Sequence, residues 1–320
     1  MSSVKFIKNL VNDSYSSLWI VNTFIAFKSI NDIFLLIFTN KNNSILSYDI
    51  IDNIKINEIK GAHKKYITNF RYYFDKDNNR DLFLSISSDD NNIKLWNNYN
   101  FECLLDIKNI NQQGYLDSAC FLKDNNNICI ITSNFGYSDL IKVFDFKGKK
   151  IKEIINSNEE IIFINSYYDK KLNKNFIVAC SQNYSISYDY NKNEIYQKYL
   201  DNNRPRNFVI NNKEEEVVEL IESSTDGNIR IWNFHSGKLL KKIKVSNNIL
   251  RDICLWDKDY LFVGCDDSTI KLVEYNSGKM IKELEGHKDK VITLKMIVHP
   301  QFGKCLLSQE PYVNSIKLWN

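Results

Sequence analysis

Residues 61–97, GAHKKYITNFRYYFDKDNNRDLFLSISSDDNNIKLWN, decide the fold of this chain. The stretch opens with Gly61-Ala62-His63 and contains two strand-like runs, at residues 66–70 and 81–86. A turn rich in Asp and Asn follows, and residues 92–96 alternate apolar with polar side chains up to Trp96. Such alternation is typical of β-strands. The stretch therefore predicts a small sheet with tight polar turns and an aromatic residue at the end of one strand.

The aromatic residue that ends this strand recurs along the chain at intervals of 41 to 48 residues. The seven closing positions are Tyr48-Asp49, Trp96-Asn97, Phe144-Asp145, Tyr188-Asp189, Trp232-Asn233, Val273-Glu274 and Trp319-Asn320. A short strand-like run precedes each position, and a fourth strand-like run follows most of them. Three turns also carry an Asp six residues before the closing position: Asp90, Asp226 and Asp267. Self-similarity at a fixed period indicates a repeat architecture.

These motifs resemble the WD40 repeat, with Gly-His altered to Gly61-Ala62-His63 and Trp-Asp altered to Trp96-Asn97. The resemblance covers essentially the whole chain. It implies an all-β fold, a single seven-bladed propeller over residues 1–320 with four strands in each blade. The last closing position, Trp319, leaves no room for a fourth strand, so residues 3–10 are expected to be the outer strand of blade seven and to close the ring. Residues 211–216 are expected to form a surface loop in blade five.

The family resemblance also implies a hydrogen-bonded chain of Trp, a hydroxyl, His and Asp that fixes each blade. The residues that match this structural network are His63, Asp90, Trp96, Asp226, Trp232, Asp267, His287 and Trp319. In blade two the hydroxyl is not assigned by the pattern: Ser85, Ser87 and Ser88 are near, but Ile86 occupies the expected position. The alternative interpretation of His63 with Asp90 is a catalytic pair, although a buried network that fixes a turn explains both residues.

The composition and motifs of the chain argue against several classes of function. Lys plus Arg number 42 and Asp plus Glu number 39, and a net charge of +3 gives no reason to expect bulk nucleic-acid or membrane binding. Seven Cys residues without a CxxC spacing predict neither a disulfide framework nor a zinc site. The four His residues do not cluster with Cys or carboxylates, and no phosphate-cradling Gly-rich loop or nucleophile elbow is present. We therefore predict a non-enzymatic protein without metal or cofactor. With no signal pattern, it is expected inside the cell, in cytoplasm or nucleus.

The resemblance implies that residues flanking the first apolar position of each first strand face the mouth of the central channel. They are Tyr66, Thr68, Tyr115, Asp117, Arg204, Arg206, Arg251 and Lys290. Tyr is enriched at interfaces, and Arg binds carboxylates and phosphates through paired hydrogen bonds. The predicted function is a scaffold or adaptor, part of a larger complex, that binds a protein or an acidic or phosphorylated peptide there. The alternatives are solvated strand ends without a partner, a propeller enzyme, and a phosphoinositide-binding propeller, whose paired arginines beside Phe and Gly are absent here.

Overall fold

The computed structural model describes residues 4–11, 23–108, 110, 115–125, 127–135, 140–155, 160–213, 217–311 and 316–320. These residues form 28 β-strands in seven four-stranded antiparallel sheets, and no helix occurs among them. The arrangement is a seven-bladed β-propeller, so the predicted fold class is confirmed. No helix in the described part of the chain is long and apolar enough to cross a membrane.

Each blade takes its four strands in chain order from the channel outward. Blade one contains β2 (Phe24–Lys28), β3 (Phe34–Thr39), β4 (Ile45–Asp49) and β5 (Ile54–Ile59). Blade two contains β6 (Asn69–Asp75), β7 (Arg80–Ser87), β8 (Asn92–Asn97) and β9 (Cys103–Ile107). Blade three contains β10 (Tyr115–Asp124), β11 (Asn127–Phe135), β12 (Leu140–Phe144) and β13 (Lys150–Ile155).

The next three blades repeat this order. Blade four contains β14 (Ile161–Asp169), β15 (Lys174–Ser181), β16 (Ser185–Asp189) and β17 (Glu194–Tyr199). Blade five contains β18 (Pro205–Lys213), β19 (Val217–Ser224), β20 (Asn228–Asn233) and β21 (Leu239–Lys244). Blade six contains β22 (Leu250–Leu255), β23 (Tyr260–Cys265), β24 (Ile270–Glu274) and β25 (Lys279–Leu284). Because β18 continues to Lys213, the loop expected at residues 211–216 is wrong for residues 211–213, and residues 214–216 lie outside the described part.

Blade seven is completed by a strand from the other end of the sequence. It contains β26 (Thr293–His299), β27 (Gly303–Gln309), β28 (Ile316–Trp319) and β1 (Phe6–Asn9), in the order β1-β28-β27-β26. Phe6 lies opposite Trp319, and the backbones of Lys5 and Asn320 exchange hydrogen bonds of 2.5 and 2.8 Å. The predicted closure by the N-terminal strand is confirmed, and it gives the outer edge of β28 a partner.

The hydrophobic core is divided among the seven interfaces between neighbouring blades. The described residues form seven apolar clusters, and each joins two adjacent blades, including the pair formed by blades seven and one. Between blades two and three, for example, Leu84 and Leu95 pack with Leu116 and Ile130, all of them fully buried. A blade therefore buries its apolar faces only against its neighbours, as in other repeat proteins.

Asparagine has a structural use in the turns, beyond the compositional abundance that is evident in the sequence. Among the described residues, eleven other than glycine have a positive φ angle, and eight of them are Asn. Asn tolerates this left-handed conformation better than most residues because its short polar side chain can bond locally. At Gly227 (φ 76°) only glycine fits, since a Cβ atom would lie 1.9 Å from the carbonyl oxygen of Ser246.

Candidate functional site

The turns between second and third strands and the loops before the first strands meet on one face, which we call the channel-mouth face. Blade two fixes its part of this face through Trp96, Ser85 and His63. The Trp96 indole N–H donates to Ser85 Oγ at 2.8 Å, and His63 Nε2 lies 2.7 Å from the same oxygen. Ser85 is therefore the hydroxyl that the sequence pattern did not assign.

The acid of blade two does not complete the expected four-member chain. Asp90 Oδ2 accepts a hydrogen bond from the backbone N–H of Lys65 at 2.9 Å, whereas His63 Nδ1 has no hydrogen-bond partner among the described residues. Burial, followed by the charge of the nearby Lys94, lowers the pKa of His63 to about 4. A buried, neutral imidazole that is not hydrogen-bonded to Asp90 fixes a turn; this geometry gives the catalytic-pair interpretation no support.

Blade seven builds the same chain and completes it with a residue that the sequence analysis missed. Trp319 Nε1 donates to Ser308 Oγ at 2.7 Å, and His287 Nε2 lies 2.7 Å from that oxygen. Glu310 Oε1 lies 3.4 Å from His287 Nδ1, and Glu310 Oε2 accepts the backbone N–H groups of Lys288 and Asp289 at 2.5 and 2.7 Å. Burial alone would raise the pKa of Glu310, but His287 and the two amides lower it to about 2.

In blades five and six, the predicted Asp residues pin their turns with cations rather than with a histidine. Asp226 accepts hydrogen bonds from Arg230 Nη2 at 2.7 Å and from Ser224 Oγ at 2.5 Å. Arg230 is fully buried and also donates to Asp201 at 2.6 Å. Burial would raise the pKa of Asp226, but these bonds hold it far below its usual range.

Asp267 of blade six has the corresponding partner, Lys271. Its Oδ2 lies 3.1 Å from the buried Lys271 ammonium, and Thr269 Oγ1 donates to its Oδ1 at 2.6 Å. The shared offset of six residues therefore marks a common turn with different partners.

Trp232 of blade five packs in the core and faces an unexpected acid. By sheet register, Glu222 of β19 occupies the place that Ser85 holds in blade two, because Glu222 lies opposite Arg230 as Ser85 lies opposite Lys94. Glu222 is 3 % exposed and accepts a hydrogen bond from Ser185 Oγ of blade four at 2.6 Å. Burial raises its pKa to about 7. This acid could not be predicted from the repeat pattern, which has a small hydroxyl residue there.

The predicted basic residues of blades five and six do come together. Burial, followed by the charges of Arg251 and Arg204, lowers the pKa of Arg206 to about 10, which means that the three guanidinium groups are electrostatic neighbours. Arg251 is only 3 % exposed, and its Nε and Nη2 donate to Asp266 at 2.5 and 2.8 Å. Arg204 and Arg206 are partly exposed. Lys290 is partly exposed on the loop before β26, and no contact joins its ammonium to the three arginines.

The predicted residues of blades two and three differ in how much surface they offer. The Tyr66 side chain is 46 % exposed, in the loop before β6. Thr68 is buried, and its hydroxyl bonds Ile86 O at 3.2 Å and Ser88 Oγ at 3.1 Å, so it offers almost no surface to a partner. Tyr115 and Asp117 lie in β10, but their side chains are outside the described part of the structure.

Ser85, Ser308 and Glu310 are the structural residues that sequence reasoning missed. A signal existed for the two serines, because each lies eleven residues before its closing Trp. Glu310 could not be found with an offset of six residues, because it lies nine residues before its closing Trp.

Comparison with known proteins supports the interpretation of this chain as a WD40-type propeller. A family model described as "WD domain, G-beta repeat" matches residues 55–97, which include the stretch 61–97 that decides the fold. Together with the seven four-stranded blades, this match supports the WD40-repeat propeller family for this chain.

The similar proteins share only part of their length with this chain. The U3 small nucleolar RNA-associated protein 21 homolog of Schizosaccharomyces pombe is 32% identical over 72 residues, which is 22% of this chain and 8% of that protein. The WD repeat domain-containing protein 83 homolog of Dictyostelium discoideum is 36% identical over 76 residues, 23% of this chain and 22% of that protein. The nuclear distribution protein PAC1 of Saccharomyces cerevisiae is 26% identical over 102 residues, 32% of this chain and 20% of that protein.

Proposed function

We propose that this WD40-type propeller is a non-enzymatic scaffold or adaptor that binds a protein or peptide partner on its channel-mouth face. The observation that carries the proposal is the group of Arg204, Arg206 and Arg251 at that face, with Asp266 as the carboxylate that pairs with Arg251. Three cations beside one paired acid leave an excess of positive charge at partly exposed side chains.

The partner chemistry follows from the guanidinium group. Arg can hold a carboxylate or a phosphate through two parallel hydrogen bonds, and such bonds are stronger than neutral ones. An acidic or phosphorylated peptide would relieve the repulsion that Arg204 and Arg251 impose on Arg206. The exposed ring of Tyr66 on blade two would offer apolar contact to the same peptide.

The similar proteins favour an assembly role without naming a partner. Their names associate one with a small nucleolar RNA and another with nuclear distribution. We infer that the present chain also works as a subunit of a larger complex, inside the cell, in cytoplasm or nucleus.

The test compares partner capture by the wild-type chain and by an Arg204→Ala/Arg206→Ala variant, both purified from the native cell as tagged baits. Arg251 is left intact because its loss would leave the partly buried Asp266 without its cation. A matched control removes two charges from the exposed turn of blade four, with Lys170→Ala/Lys171→Ala. A third bait carries Tyr66→Ala.

We expect partners to be lost from the arginine variant and retained by the lysine control. Capture by the wild type should also weaken as salt rises, since salt screens exposed charges. Equal capture by all baits at low salt would remove the arginine group from the binding site and contradict the proposal.

A further inference from the structure

A large cavity lies at the opposite end of the propeller from the channel mouth, between blades two, three and four. Its volume is about 920 Å³, and it is lined by the first strands of these blades and by the hairpins that follow them. Protein pockets for small ligands measure roughly 300–1,000 Å³. The cavity therefore has the size of a small-molecule site and is separate from the arginine group of blades five and six.

The inner end of the cavity holds Arg71, a cation without an acidic partner. Among the described residues, no carboxylate lies within ion-pair distance of Arg71. Its Nη1 donates to Asn69 Oδ1 and to the carbonyl oxygen of Phe70 at 2.5 and 3.1 Å, and its Nη2 donates to Ser118 Oγ at 3.1 Å. The Phe163 ring covers the guanidinium at 5.1 Å.

These contacts leave part of the guanidinium available to a ligand. Arg carries five N–H groups, and three of them make the bonds to Asn69, Phe70 and Ser118. The Nε–H and one Nη2–H make no hydrogen bond with the described residues, so both are available to a carboxylate or phosphate oxygen. Burial lowers the pKa of Arg71 to about 10, so the group remains charged at neutral pH.

The charges around Arg71 do not neutralise it. Lys295 of blade seven and Asp252 of blade six are its ionisable neighbours across the channel. The Asp252 carboxylate is already occupied by Asn207 Nδ2 and by the backbone N–H groups of Ile253 and Leu294, the latter two at 2.8 and 2.7 Å. Two cations face one acid, and the inner end of the cavity is electropositive.

The outer end of the cavity offers neutral hydrogen-bonding groups. Asn165, Asn173 and Asn191 line it and are exposed. Tyr168 is 50 % exposed, and its hydroxyl donates to Asn173 Oδ1 at 2.6 Å, which orients the amide so that its NH₂ group points away from the ring oxygen. Lys123, the other cation of the lining, is paired with Asp77 at 2.8 Å.

We propose that this cavity binds a small polar anion: a phosphate or carboxylate group pairs with Arg71, and the hydroxyl or amide groups of the same molecule bond the asparagines of the outer end. Arg71 is partly exposed to the cavity, and no residue described in the structure supplies it with an ionic partner. The lining fits such a molecule because Arg71 gives the inner end a positive charge, and most of the remaining lining consists of neutral amides and an exposed aromatic ring, with Asp124 as its carboxylate.

The experiment measures thermal unfolding of the whole purified chain against increasing inorganic phosphate and, separately, citrate, with sodium chloride at matched ionic strength as the reference. Phosphate tests the phosphate source of the anionic group, and citrate tests the carboxylate source. We expect a saturable rise in Tm with at least one of the two, beyond the effect of sodium chloride. No saturable rise with either anion would overturn the proposal.

Variants then locate the site. Arg71→Gln should weaken binding about tenfold or more, since a hydrogen bond to a charged group contributes that much. Lys170→Gln, on an exposed turn of the same face but outside the lining, should bind like the wild type. Equal affinity of Arg71→Gln and the wild type would place the bound anion elsewhere and contradict the proposal.

A second pair of variants keeps the test valid if Arg71→Gln does not fold. Asn165 is exposed within the lining, so Asn165→Asp adds a negative charge to the cavity without removing a buried contact. Asn165→Asp should weaken anion binding, whereas Asn165→Gln, which adds no charge, should not. Unchanged binding by Asn165→Asp would contradict the proposal.

Discussion

Blades two and seven build the same three-residue chain but end it differently. In both, a Trp indole donates to a Ser hydroxyl that also contacts a buried His, with all four distances between 2.7 and 2.8 Å. In blade seven Glu310 Oε1 lies 3.4 Å from His287 Nδ1, an ion-pair distance without a hydrogen bond, whereas no carboxylate of the described residues lies at ion-pair distance from His63. We therefore expect the shared Trp–Ser–His part to set the blade geometry and the acid to set the protonation behaviour of the histidine.

The Trp residues give the largest expected effect and should behave alike in the two blades. Trp96→Ala and Trp319→Ala should each lower the free energy of unfolding by about 3–5 kcal/mol, because each removes a large buried aromatic side chain. Urea denaturation midpoints check this. Trp96→Phe and Trp319→Phe are the matched controls, since they keep one aromatic ring while losing the indole N–H and part of the ring volume. An unchanged midpoint for Trp96→Ala would contradict the role assigned to it in blade two.

The second-largest expected effect is a loss of unfolding free energy in acid that arises from His63 of blade two. His63 has an ordinary pKa of 6.5 and a folded pKa of about 4 because of burial, so the unfolded chain binds its proton more readily. Its stabilising contribution is complete above pH 6.5 and is lost as the pH falls from 6.5 to 4, on the order of 3 kcal/mol in total. His63→Gln should flatten the fall of unfolding free energy over this interval. A profile parallel to the wild type would show that His63 does not carry the dependence.

The sequence predicted the fold of this protein more completely than its candidate site. The propeller, its seven closing positions and the strand that completes blade seven followed from period and alternation, because these features depend on backbone pairing and on burial between neighbours. The network partners did not follow in full. Glu310 and Glu222 occupy positions that only the sheet register identifies, and a register depends on turn lengths that vary from blade to blade.

The channel-mouth residues show the same limit. The sequence placed Arg251 and Thr68 at strand ends, but it could not show their partners. Asp266 neutralises Arg251, and Ile86 and Ser88 form hydrogen bonds with the Thr68 hydroxyl. Arg71 escaped notice altogether, because a cation inside a strand gives no local signal of the cavity that it lines.

Removal of Glu310 from blade seven and of Asp90 from blade two should show a smaller difference in unfolding free energy. Glu310→Ala should cost about 1–3 kcal/mol of unfolding free energy, because two amides and His287 lose their acceptor in a buried place. Asp90→Ala should cost less, about 1 kcal/mol or below, since its bond to Lys65 N–H lies near solvent. Denaturation at pH 7 measures both. A larger cost for Asp90→Ala would mean that Asp90, and not Glu310, is the stronger anchor.

The smallest expected effect on stability comes from exchanging the residues at the ends of the two hydrogen-bonded networks, Ser87 in blade two and Glu310 in blade seven. Register places Ser87 of blade two where Glu310 stands in blade seven, since each follows its network serine, Ser85 or Ser308, by two residues. Ser87 Oγ and His63 Nδ1 are buried, and neither atom has a hydrogen-bond partner in the part of the chain that the structure describes. Ser87→Glu should bring a carboxylate to that imidazole and raise the His63 pKa above about 4, because an opposite charge favours the protonated form.

Glu310→Ser is the reciprocal variant and should lower the pKa of His287, because it removes the acid that opposes burial there. NMR titration of the two imidazoles measures both pKa values directly, so the accompanying change in unfolding free energy need not be resolved. Ser87→Ala is the control for the exchange, as it removes the hydroxyl and adds no charge. If Ser87→Glu folds and the pKa of His63 stays where Ser87→Ala leaves it, the carboxylate does not reach the imidazole. The two blades would then differ in backbone geometry at this turn and not only in the acid.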